Sequence, residues 1–195
     1  MSRQASVRRT TGETDVQVTL DLDTPAPSDI ATGVGFLDHM LTLFARHGLV
    51  GLVVQATGDL ETGSHHTIED VGITIGQAID QALGDRSGIE RYGSALVPMD
   101  EVLVQAAIDI SGRPLVVMDV PMPSGAIGDF ETECLIEFLR GLANHAKLTL
   151  HVRLLVPGGT HHIVEGTFKS VARALAMAVA LSPRVSGIPS TKGSL

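Results

Sequence analysis

The 195-residue sequence predicts an α+β protein made of two like halves, each a sheet with helices on one face. Three observations carry the prediction. A string of two adjacent histidines and a nearby acid, "SHHTIED" at 64–70, returns as "THHIVEG" at 160–166. The upstream stretches match as well. "FLDHMLTLFARHG" (36–48) lies on "CLIEFLRGLANHA" (134–146) without a gap in its apolar positions, and "ETDVQVTLDLD" (13–23) resembles "EVLVQAAIDIS" (101–111). Finally, each histidine string leads into apolar residues at helical spacing. The repeat sets the frame for all later readings. It divides the chain into halves at 1–93 and 94–195, which together form one functional domain.

In chain order, 13–23 alternates apolar and polar residues over part of its length, as a half-buried strand does. Residues 36–48 carry a helical stripe. "GLVGLVVQATGDL" (48–60) is a short apolar run, read as a strand from its β-branched content. Residues 67–84 form the helix that the first histidine string opens. The second half repeats this, with strands at 101–111 and 148–156 and helices at 134–146 and 163–181. The predicted order in each half is strand, strand, helix, strand, strand, helix.

Composition narrows the function classes. Hydrophobic residues make up 44% of the chain and charged ones 18%, a globular balance. The net charge of −8, with no basic run, argues against a nucleic-acid partner. The lone Cys134 excludes an internal disulfide and a cysteine zinc site. "MSRQASVRRTTGE" does not resemble a signal peptide, and no apolar run reaches the roughly 20 residues of a membrane span. The expectation is a soluble, cytoplasmic protein. Eight histidines beside one Tyr and no Trp direct attention to the paired strings.

If each string opens a helix, His65 and Glu69 share one face, as do His161 and Glu165. Imidazole and carboxylate at that spacing can reach one metal ion. His66 and His162 point about 100° away and cannot easily join their own neighbours. The duplication suggests a crossed arrangement: His65, Glu69 and His162 around one ion, and His161, Glu165 and His66 around the other. His39 and its repeat-mate Glu137 are placed to add a ligand to each. Nitrogen and carboxylate donors without thiolate suit manganese, iron or zinc; magnesium and calcium prefer oxygen alone.

Together "GFLDHML", "HHTIEDVGI", "SGRP", "HHIVEGTFK" and "IPSTKG" resemble the imidazoleglycerol-phosphate dehydratase family of histidine biosynthesis, in order from Glu13 to Lys192. The resemblance implies two fused ferredoxin-like halves, each a four-stranded sheet with two helices. It implies a homo-oligomer, a hollow 24-subunit assembly built from trimers, with two Mn2+ ions per active site at subunit interfaces. Fe2+ or Zn2+ are possible substitutes. One ion would take His39, His66, His161 and Glu165; the other His65, Glu69 and His162. The family's usual fourth ligand there is a histidine, and Glu137 stands in its place ("EFL"), with His145 as the alternative. Arg91, Arg113, Lys169, Ser190, Thr191 and Lys192 occupy substrate-contact positions suited to a phosphate. Glu13 is the implied substrate contact and candidate base, and His47 a candidate for proton transfer.

Two other readings use the same ligands. A two-metal hydrolase would act on a small phosphorylated or amide substrate. A metal-storing cage would have no use for the Arg, Lys and Ser set.

Overall fold

The structure, a computed structural model, describes residues 3–195. In the first half, strands β1 (Gln4–Thr10) and β2 (Thr14–Asp21) form an antiparallel hairpin. A β-α-β unit follows, made of β3 (Asp29–Ala31), α1 (Gly35–Gly48) and β4 (Gly51–Gly58), with β3 and β4 parallel. Helix α2 (His65–Leu83) closes the half. The second half repeats the plan with β5 (Tyr92–Met99), β6 (Val102–Asp109), β7 (Leu115–Asp119), α3 (Cys134–Ala146), β10 (Thr149–Val156) and α4 (Thr160–Val179). A small hairpin, β8 (Ala126–Ile127) and β9 (Phe130–Glu131), precedes α3. The sheets run β1-β2-β4-β3 and β5-β6-β10-β7, so both are mixed and both have the same order. This is the duplicated, ferredoxin-like α+β arrangement expected.

The expected element order needs one correction. Three strands of the four-stranded sheet precede the first helix of each half and one follows it. The displaced strand β3 is only three residues long and emerges from the proline-bearing "TPAPS", too short for its alternation to be read.

The duplication reaches the helix caps. Helices most often stop at a left-handed glycine, yet α1 and α3 stop at Leu49 (φ 56°) and Lys147 (φ 54°). Each donates its N–H four residues back, to Ala45 O and Ala143 O.

Packing interleaves the halves. Helix α2 covers β1 and β2 and runs beside α3, whereas α4 covers β5 and β6 and runs beside α1. Each helix therefore has its main helical neighbour in the other half, and one continuous apolar core spans both. The α2–α3 contact is close because a Cβ at Gly72 would lie 2.5 Å from the Phe138 carbonyl oxygen, and one at Gly76 2.5 Å from that of Leu142. No helix among the described residues is long and apolar enough to cross a membrane.

Candidate metal and substrate site

Both histidine strings begin helices, so the i,i+4 geometry holds. On α4, His161 Nε2 lies 3.4 Å from Glu165 Oε2. From the second turn of α1, His39 brings its Nε2 to 3.9 Å from the same oxygen. One donor atom from each of the three lies within 4.8 Å of the other two, a spacing that one metal ion can bridge. Phe36 packs edge-on against the His161 ring, with centroids 5.0 Å apart. Glu165 is buried, which pushes its pKa up. Lys169, ion-paired to its other oxygen, and the two histidines outweigh burial, so the carboxyl ends below its ordinary value.

On α2, His65 Nε2 lies 3.6 Å from Glu69 Oε2. The Cys134 thiol, at the position of Phe36 in the repeat, lies 3.9 Å from His65 Nδ1. Glu137 does not converge on this pair; it accepts a hydrogen bond from Arg140 Nη1 at 2.9 Å. His145 is further removed. Its Nδ1–H donates to Gly141 O at 2.9 Å, and its Cβ faces Gly76, three helical turns beyond His65 on α2. That position does not suit it as the substitute ligand.

Among the described residues, neither His66 nor His162 falls in a ligand-spaced group with the other string's pair, so the crossed sets are not brought together within one chain. His66 directs Nδ1 at Asp59, 3.0 Å away, with Glu13 at 3.8 Å. His162 directs Nδ1 at Glu101, 2.8 Å away. In each case a carboxylate holds the Nδ1 proton and leaves Nε2 without a hydrogen bond among the described residues, the usual outer support of a metal-binding histidine. Asp100 lies 3.8 Å from the Nε2 of His162. Asp59 raises the pKa of His66, and Glu101 raises that of His162. The Gly159 N–H and then His162 hold the Glu101 carboxyl down to about 2. Sequence reasoning assigned Asp59 and Glu101 no role. The signal for Glu101 was its match to Glu13; Asp59 has no acidic counterpart in "VPGG" (156–159) and offered none.

The cationic positions divide into two groups. Lys169 belongs to the Glu165 cluster. His47, in the last turn of α1, has its pKa lowered by burial and by the nearby Lys169, Arg173 and Arg46. Arg91 and Arg113 lie at the opposite end of α4, where the Arg91 N–H bonds to Ala178 O. Arg91 spends its guanidinium on Asp109 (2.7 Å) and on Pro189 O (2.8 Å). Arg113, 3.9 Å from Asp109, remains exposed. Ser190, Thr191 and Lys192 follow Pro189 directly, so the tail is tied beside these arginines. The tail is tied again where Arg86 donates to Leu195 O at 3.1 Å.

Comparisons with known proteins place the chain in a family. The family profile described as imidazoleglycerol-phosphate dehydratase matches residues 32–175. The imidazoleglycerol-phosphate dehydratase of Desulforamulus reducens is 54% identical over 195 residues, covering 100% of both chains. That of Granulibacter bethesdensis is 55% identical over 196 residues, again with 100% of both covered. The crystal structure of the Staphylococcus aureus imidazoleglycerol-phosphate dehydratase superposes with a TM-score of 0.84 at 39% identity, covering 92% of this chain and 99% of that one. The Pyrococcus furiosus structure gives 0.84 at 40% identity, with 97% and 100% covered. The chain belongs to the imidazoleglycerol-phosphate dehydratase family.

Proposed function

We propose that this enzyme, a hydro-lyase of histidine biosynthesis acting in the cytoplasm, dehydrates D-erythro-imidazole-glycerol phosphate to imidazole-acetol phosphate and depends on two Mn2+ ions. The observation that carries the metal dependence is the convergence of His39, His161 and Glu165 within bonding range of one ion. The donor set fits: imidazole and carboxylate are present, thiolate is absent, and outer carboxylates already orient His66 and His162. His39, His161 and Glu165, with His66, would hold one ion; His65 and Glu69, with His162, the other, joined by Glu137 once its carboxylate leaves Arg140. A bound divalent cation supplies Lewis-acid polarisation of the substrate's ring nitrogen.

The chain's own groups do the rest. Arg113, Lys192 and the Ser190 and Thr191 hydroxyls take the phosphate, with Arg91 fixing the tail that carries three of them. Lys169 completes the charge around Glu165. The hydroxyl on the carbon beside the ring leaves, taking up a proton to depart as water, while Glu13 removes the proton from the next carbon; the resulting enol then becomes the ketone on that second carbon. Glu13 suits this role because its carboxylate is unspent. Asp59 occupies His66, whereas the repeat-mate Glu101 is itself consumed by His162. His47, whose pKa is lowered by burial and then by the nearby Lys169, Arg173 and Arg46, can relay a proton.

Dimensions support a homo-oligomer. Helix α4 has 20 residues, and at 1.5 Å per residue it separates the metal cluster from the arginine and tail cluster by about 25–30 Å. One small substrate cannot touch both in the same subunit, so we infer that the phosphate site of one copy serves the metals of another. The outer face of the second sheet, where Tyr92, Leu96, Leu115 and Val117 are exposed, suits such contacts. The family's 24-subunit cage of trimers is the assembly proposed.

The test is incubation with imidazoleglycerol phosphate before and after chelation. Formation of the ketone with phosphate retained, lost on chelation and restored by Mn2+, supports the reading. Release of inorganic phosphate would replace it with the hydrolase.

A further inference from the structure

The second acid of the first histidine string takes no part in the site described above. Asp70 is buried at 6% exposure on α2, and both of its oxygens are engaged. Oδ1 accepts from Arg9 Nε at 2.9 Å, and Oδ2 accepts from the Thr14 hydroxyl. A carboxylate only accepts, so the Thr14 proton is committed to it. The 3.2 Å contact between the Thr11 and Thr14 hydroxyls must then be a bond from Thr11 to Thr14. The Thr11 oxygen in turn accepts the Glu13 N–H at 3.1 Å and the Thr14 N–H at 3.0 Å. One directed chain of hydrogen bonds thus runs from Asp70 to the backbone of Glu13.

The repeat provides an internal control. Gly166 replaces Asp70, Val97 replaces Arg9 and Val102 replaces Thr14. A Cβ at Gly166 would lie 3.1 Å from Val104 Cγ2, 3.6 Å from Met99 Cβ and 3.8 Å from Val102 Cγ1, so the same helix face meets the same hairpin. There the closure is wholly apolar. Exchanging a buried ion pair for apolar packing is often neutral or stabilising, so closing the hairpin does not require the charges. The two turns differ in what their acids do. Glu101 is located by its own bonds to His162 and Gly159 N–H. The Glu13 carboxylate has only the 3.8 Å approach to His66, whose proton Asp59 already takes. Its place has to be set through the backbone.

We propose that Asp70 is a positioning residue, holding the turn that presents Glu13 to the substrate through Arg9, Thr14 and Thr11. This rests on the reading of Glu13 as the base. The test transplants the second half's solution, Arg9→Val with Thr14→Val and Asp70→Gly, into the Mn2+-loaded enzyme. Asp70→Asn, which keeps an acceptor for Thr14, is made alongside in case the triple variant does not fold.

Mn2+ per subunit and assembly size should not change. The kcat should fall between about tenfold and a hundredfold, the scale of a small misplacement of a catalytic group, while KM stays within about twofold. Asp70→Asn should lose less. Amide exchange at Glu13 and Thr14 should quicken while that of α2 does not. In a Glu13→Gln background the transplant should cost nothing further. Unchanged exchange in the turn, full retention of kcat, or a loss that multiplies with that of Glu13→Gln would overturn the proposal. If Glu13→Gln by itself keeps full kcat, the base assignment fails, and the exchange measurement still decides whether Asp70 holds the turn.

Discussion

At the scale of single residues, the histidines that matter are sorted by what holds their second nitrogen. Asp59 and Glu101 raise the pKa of His66 and His162 by bonding Nδ1–H. Metal binding at Nε2 displaces a proton from the imidazolium, so loading is complete above the raised pKa and is lost as pH falls through it. Asp59→Asn returns His66 toward its ordinary value. The midpoint of Mn2+ loading should therefore move to lower pH, while affinity at alkaline pH drops about 10–100-fold, as read from free Mn2+ by electron paramagnetic resonance. His66→Ala and His162→Ala should each deplete a different ion. Loss of the same ion from both would refute the crossed ligand sets. Glu137→Gln should lower occupancy of the His65–Glu69 ion because the amide keeps shape but loses charge. His145→Ala should leave metal content intact, since its ring is bound to Gly141 O far from His65. Metal per subunit by atomic emission decides both.

Among the elements, the α2–α3 contact is the most constrained. Gly72 gives α2 no helix propensity; alanine would gain about 1 kcal/mol on that count. The Phe138 carbonyl stands 2.5 Å from where the new methyl would sit, and it is backbone rather than a movable side-chain end. Overpacking of this kind costs about 1–3 kcal/mol. Gly72→Ala should therefore be net destabilising, with a lower urea midpoint at an unchanged slope. A midpoint equal to or above that of the parent would mean that the helices can separate slightly at little cost.

For the whole molecule, the length of α4 separates the proposed phosphate contacts from the proposed metal cluster within each copy. On the proposed assembly, in which ions are shared between copies, chelation should convert a large oligomer into smaller, inactive species, followed by sedimentation. A His161→Ala protein and an Arg113→Ala protein should each be inactive. Dissociated together and reassembled with Mn2+, they should recover activity that neither has alone. A mixture that stays inactive would show that each site is built within a single subunit.

Much was legible in the sequence because it is local. The pairing of His65 with Glu69 and of His161 with Glu165 follows from helical periodicity alone, and the repeat follows from matching apolar stripes. The register of α1 on α3 carries His39 onto Glu137 from the sequence alone. What periodicity does not contain is which helices become neighbours. Tertiary packing set α1 beside α4, which gathers His39 with His161 and Glu165, and α2 beside α3, which leaves His145 remote. It also gave Asp59 and Glu101 their histidines. Glu101 meets His162 across 61 residues of chain, and Asp59, only seven residues before His66, meets it through the turn between β4 and α2; helical or strand periodicity encodes neither. The three-residue β3 escaped for the opposite reason: its pairing with β4 comes from the sheet edge rather than from its own residues. The residues able to carry the chemistry were determined by the sequence itself. Their grouping was decided by the fold, because side chains meet through packing between elements.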